Sequence, residues 1–183
     1  MQTVSNTIGA DTVHAEAVVV VGVDGISHNG TDIALGNVAD HESLSIFGHN
    51  PNVPVTFEIV GDQSAVYNYL AAAQVVKVSS DDGDDTIAGD GAQTVTVTGL
   101  DTNYLEVSDT VDMNGAAYVA TTQEFLRVHT CTVATAGVTN ANEGTISIYD
   151  NAEAKVINVI DPLEGFSHSA NYKVPDGHKA YIK

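Results

Sequence analysis

The densest run of side chains able to do chemistry is Asp82-Gly83-Asp84-Asp85-Thr86-Ile87-Ala88-Gly89-Asp90-Gly91. Closely spaced oxygens of this kind suit a hard cation, and the wording matches one copy of a Gly/Asp nonapeptide calcium repeat. Such repeats bind between stacked turns of neighbouring copies, and this run occurs once. It reads as a solvated acidic loop, and no metal is assigned to it.

The seven histidines (His14, His28, His41, His49, His129, His168, His178) show no His-x-His or His-Glu-x-x-His spacing, so no helical zinc face can be drawn. Strict alternation would put His129 and Cys131 on one strand face, the outline of a thiol-imidazole pair, but no orienting group or oxyanion hole accompanies them. Ser167, in Gly165-Phe166-Ser167-His168-Ser169, lacks the second glycine of a nucleophile elbow and the strand-to-helix turn an elbow needs. Paired carboxylates abound, yet with no Trp and 6% aromatic residues the chain lacks the sugar platform of a glycosidase. No phosphate loop or dinucleotide fingerprint occurs. These readings assign no catalytic residue and no cofactor, and predict a non-enzymatic protein.

The elements that carry these residues are predicted to be strands. The chain of 183 residues is rich in Val and Thr and holds four Pro and two Met, a composition that favours β-branched strand chemistry. The run 93–98 alternates, with Val95 and Val97 on one face and three threonines on the other. Further strands are predicted over 17–23, 44–47, 55–60, 75–79, 105–113, 125–136, 144–149, 155–160, 172–174 and 178–182. Asn114-Gly115 is the strongest hairpin signal and should fold 116–120 back on 105–113. A second hairpin is expected around Asp150-Asn151, and Pro175-Asp176-Gly177 marks a turn. Residues 65–73 fit a helical turn or a strand equally.

Short strands separated by turn chemistry predict an all-β fold, an antiparallel β-sandwich of jelly-roll type with an immunoglobulin-like order as the alternative. Residues 1–16, small and polar, read as an extended N-terminal arm. Residues 17–183 form the single predicted sandwich domain, with 17–73 as a possible subregion.

The formal charge is −18, from 6 Lys+Arg against 24 Asp+Glu, so the summed field repels phosphate and argues against direct nucleic-acid binding. Only Lys77 is cationic before residue 127, whereas five cations follow from there on. A single cysteine excludes an intrachain disulfide framework and predicts a buried small hydrophobe at Cys131. The first residues lack a basic stretch and the apolar run 17–23 is too short to span a bilayer, so neither an export signal nor a membrane segment is expected.

Several phrases of the chain resemble a group of virion structural proteins of tailed phages, many of them marine. They are Phe47-Gly48-His49-Asn50-Pro51, Val78-Ser79-Ser80, Asp85-Thr86-Ile87-Ala88-Gly89-Asp90-Gly91-Ala92-Gln93-Thr94-Val95, Gly99-Leu100-Asp101, Met113-Asn114-Gly115, Phe125-Leu126-Arg127-Val128 and Asn142-Glu143-Gly144-Thr145-Ile146. All are turn or strand wordings, and none encodes chemistry. The chain departs from the group at the acidic run Asp81 to Asp85 and at Gln93. The resemblance implies a β-sandwich decoration or cement protein on the outside of the capsid, bound to the major capsid protein and assembled as a homo-oligomer, with a trimer favoured. A neck, tail or fibre protein is the alternative within the virion. A carbohydrate- or cell-surface-binding module is the rival class, and its signature would be an exposed aromatic cluster drawn from Tyr67, Tyr69 and Tyr104.

Overall fold

The computed structural model describes residues 67–169 and 171–180, the backbone of two strands at 4–8 and 11–15, and isolated positions between 33 and 56. Strands expected over 17–23, 44–47 and 55–60 lie wholly or largely outside the described residues, as does the end of 178–182. The chain divides into two compact units, Met1–Ser45 and Ile46–Lys183.

In the first unit, β1 (Val4–Ile8) pairs antiparallel with β2 (Asp11–Ala15), Val4 opposite Ala15 and Ile8 opposite Asp11. The segment expected as an extended arm therefore contains a hairpin, and the unit boundary falls inside the predicted 17–183 domain. Val4, Ile8 and Val13 supply β-branched residues that a reading weighted to polar composition passes over.

The second unit is all-β. From Tyr67 to Lys179 the described residues contain no helix. Its strands are β3 (Gln74–Ser80), β4 (Ala92–Leu100), β5 (Glu106–Asp112), β6 (Val119–Phe125), β7 (Arg127–Ala136), β8 (Ile146–Tyr149) and β9 (Val156–Ile160). They form two antiparallel sheets, in the orders β6-β3-β8-β9 and β5-β4-β7. The pairing is nested: β4 and β5 form a hairpin in one sheet, β3 and β6 flank it in the other, and β7 and β8 return beside β4 and β3. A hairpin rolled across two sheets is the jelly-roll pattern. An immunoglobulin order would put the first two of seven strands in one sheet, whereas β3 and β4 lie in different ones.

One core lies between the sheets. Val76 and Val78 of β3, Val95 and Val97 of β4, Ile146 and Ile148 of β8, and Ile157 and Ile160 of β9 are fully buried and packed with Phe125, Val128 and Cys131. Each such aliphatic side chain contributes about 1.5–3 kcal/mol by leaving water. The outward threonines of β4 pair across strands, Thr94 with Thr135 and Thr96 with Thr110 through their hydroxyls.

Three local expectations are corrected. Asn114-Gly115 does make a turn, with Gly115 at φ +57°, but the chain leaving it crosses to the other sheet, where β6 pairs with β3 and not with β5. The reason is tertiary: the Gly115 carbonyl accepts the Ser80 N–H and the Gly115 N–H donates to the Asp85 carbonyl, so the turn is fastened to the end of β3 and the acidic loop. Residues 67–73 are neither helix nor strand but an irregular segment whose Tyr67 and Leu70 plug the core. The segment 172–174, predicted as a strand, runs irregularly to the turn at 176–177. The hairpin around Asp150-Asn151 forms as β8–β9.

Candidate functional site

The acidic loop joins β3 to β4, and its residues divide between two roles. Asp85 points inward and is fully buried. Its carboxylate accepts the Ser80 hydroxyl and the N–H groups of Ala92 at 2.6 Å, Glu143 at 2.9 Å and Gly144 at 3.0 Å. Four donors on two oxygens satisfy a buried charge and make it a fastener of four chain segments. Gly89 and Gly91 let the loop close on it: a Cβ at Gly91 would sit 2.2 Å from Asp85 Oδ1, and one at Gly89 2.0 Å from the Asp84 carbonyl oxygen.

The other acids face outward. One carboxylate oxygen from each of Asp82, Asp84 and Glu143 lies within 4.8 Å of the others. Desolvation, with the charges of Asp84 and Asp82 next, raises the Glu143 pKa above the usual carboxylate range. The trio offers part of the six-to-eight-oxygen shell a calcium ion takes. Glu143 has no local signal in the sequence, since it joins the loop only through the long connection between β7 and β8.

The nucleophile candidates are structural. Cys131 is completely buried, and burial pushes its thiol pKa far up, so the thiolate is not formed near neutral pH. Its N–H donates to Ser167 Oγ at 3.0 Å, and the Ser167 N–H donates to the Cys131 carbonyl at 2.9 Å. Asn158 Nδ2 also reaches Ser167 Oγ, at 3.3 Å. Ser167 thus clips the segment after β9 onto β7, where Thr132 and Phe166 form an isolated bridge. His129 does not share the Cys131 face in the way alternation predicts. A register shift opposite Thr98 and Gly99 lets Val128 and Cys131 both enter the core, and His129 packs instead on Tyr172, ring centroids 4.5 Å apart. Its Nε2 accepts the Lys173 N–H at 3.2 Å, and burial lowers its pKa, leaving the ring neutral.

Of the other histidines, His14 lies on β2, while His28 and His49 lie outside the described residues. His41 Nδ1 is 2.9 Å from the Ala39 carbonyl and His178 Nδ1 is 3.0 Å from the Asp176 carbonyl, both local turn contacts. His168 is buried against Phe166, 3.6 Å from Glu164.

A further feature is a shallow cleft of about 190 Å³ between the segment before β3, the start of β7 and the C-terminal segment, lined by Tyr67, Tyr69, Arg127, His129, Tyr172 and Lys173 among others. Tyr67 is its floor. Its hydroxyl donates to the Val128 carbonyl at 3.0 Å and accepts the Val128 N–H at 3.1 Å, and burial raises its pKa. Tyr69 stands edge-on to it at 4.8 Å and is 63% exposed. The Arg127 guanidinium carbon lies 5.0 Å from the Tyr69 ring centroid, and Lys173 Nζ lies 5.4 Å from that of Tyr104. Of the three tyrosines singled out in the sequence, then, one is a structural anchor, one an exposed wall and one a neighbour reached through Lys173. Tyr172 and both cations belong to the same surface, and no local motif announces them.

The fold and site define an antiparallel β-sandwich whose buried polar side chains hold loops. Comparison with protein-family models, curated proteins and solved structures gives no match.

Proposed function

We propose that the chain is a non-enzymatic virion structural protein of a tailed phage, a decoration or cement protein that binds the major capsid protein on the outside of the shell. The observation that carries this reading is the use made of the polar groups with catalytic potential. Asp85 and Ser167 are buried and committed to backbone contacts that fasten loops to the sandwich, and the Cys131 thiol is buried in the core. A rigid sandwich with clamped loops is suited to presenting fixed surfaces. The resemblance of its turn and strand wordings to those of phage virion proteins points in the same direction.

The physical requirement of such a protein is area and repetition. A modest interface repeated around a shell stabilises the lattice through its number of copies, and a homotrimer would multiply contacts at each point of attachment. The strongly acidic chain repels packaged nucleic acid, which is compatible with docking on a protein shell.

The test is the copy number per purified particle, measured by quantitative mass spectrometry against the major capsid protein. Near parity with the shell subunit supports the reading, and capsids stripped of the protein should then disassemble at lower temperature. A dozen or fewer copies would assign it to the neck, tail or fibres, and absence from particles would overturn the virion reading.

A further inference from the structure

We propose that the cleft beside Tyr69 and Arg127 binds an acidic sugar ring, a uronate unit of a glycan. Six Lys and Arg residues serve the whole chain, and two of them, Arg127 and Lys173, line this one small cleft. Among the described residues neither makes an ion pair, whereas Lys77 is matched by Glu153. A local excess of positive charge on a protein of net charge −18 selects for an anionic group.

Arg127 is held ready for one. Its Nη1 donates to the carbonyls of Leu126 at 2.6 Å and Leu70 at 3.0 Å, which fixes the guanidinium and leaves Nη2 and Nε to meet the two oxygens of a carboxylate. The rings supply the second half of the recognition. Tyr69, 63% exposed, presents an apolar ring with a polar tip, a surface suited to the C–H face and hydroxyl edge of a pyranose, and Tyr172 forms part of the cleft wall. Tyr172 is positioned by packing on the neutral His129 ring and by its hydroxyl, which lies 3.5 Å from Glu106 Oε1. Asn171, also on the lining, donates through Nδ2 to Ser169 Oγ at 2.8 Å, and its Oδ1 can accept a ligand hydroxyl. The volume is below the roughly 300–1,000 Å³ of sites for drug-sized ligands, which restricts the occupant to one small ring with the rest of a chain lying outside.

Charge alone and stacking alone make different predictions, which decides the probes. The ¹⁵N-labelled full chain is titrated into the millimolar range with sodium D-glucuronate, D-glucose or sodium acetate. Glucuronate should shift the amide resonances of Val128, His129 and Lys173 saturably, with glucose and acetate each at least about tenfold weaker. Tyr69→Ala and Lys173→Ala change exposed side chains and should weaken glucuronate at least about fivefold while the amide spectrum remains that of the folded chain. Arg127→Lys, which keeps the charge and loses the fork, should weaken it similarly. Acetate binding as tightly as glucuronate, glucose binding as tightly as glucuronate, no shifts at all, or undiminished binding by Tyr69→Ala and Lys173→Ala would each overturn the proposal.

Discussion

The carboxylate of Asp85 accepts the N–H of Gly144, 59 positions further along the chain, at 3.0 Å. With the Ser80, Ala92 and Glu143 bonds it ties the end of β3, the acidic loop, the start of β4 and the connection into β8 to one buried charge. Asp85→Ala should therefore cost on the order of 3 kcal/mol or more, because several buried donors lose their acceptor together. Asp85→Asn should rescue only part of this, since each carboxylate oxygen receives a backbone N–H and an amide nitrogen can accept neither. Urea denaturation of the two variants measures both losses.

Glycines of the same loop should respond in opposite directions. At Gly91 a methyl group would sit 2.2 Å from Asp85 Oδ1, so Gly91→Ala should destabilise by about 2 kcal/mol or more. Nothing lies within 4 Å of a Cβ at Gly83, so Gly83→Ala should be neutral or stabilise by about 0.4–1 kcal/mol through the unfolded state. Thermal melting of the pair reads the contrast.

Asp109 joins the two sheets at their edge. Desolvation pushes its pKa up, but hydrogen bonds from Gln123 and Thr122 on β6 outweigh that and hold it below its usual value of 3.8. A depressed folded pKa means that the stabilisation is complete above the unfolded value and is lost as pH falls below it towards the folded one. Asp109→Asn should be less stable than the parent at pH 7, with the gap closing below about pH 4, in denaturation curves taken across that range.

Cys131 should be inert in the folded protein. Its full burial and raised thiol pKa predict that a maleimide or disulfide reagent modifies it only at the rate of unfolding, and quickly in denaturant. Fast stoichiometric labelling at neutral pH without denaturant would show that β7 opens locally.

Much of the second unit was legible because a half-buried strand states its face through alternation. Val95 and Val97 between threonines identified β4 and its inward side, and the residues flanking Asp150-Asn151 identified the β8–β9 hairpin. Asn114-Gly115 announced a turn but not its destination, since turn chemistry specifies local dihedrals and not the sheet to which the next strand belongs. The hairpin at 4–8 and 11–15 was missed because composition outweighed its few β-branched residues.

By itself, then, the sequence determined the all-β class, most strands from β3 onward, the burial of Cys131 and the acidity of the surface, all properties of single segments or of totals. Tertiary structure decided what side chains far apart in the chain do together. It turned Asp85 inward as a fastener while its neighbours stayed in solvent, shifted His129 off the Cys131 face, and gathered Tyr69, Arg127, Tyr172 and Lys173 on one cleft. The physical reason is that burial and hydrogen-bond partners depend on which segments the roll of the sheets brings together, and residue types at short spacing carry no record of that.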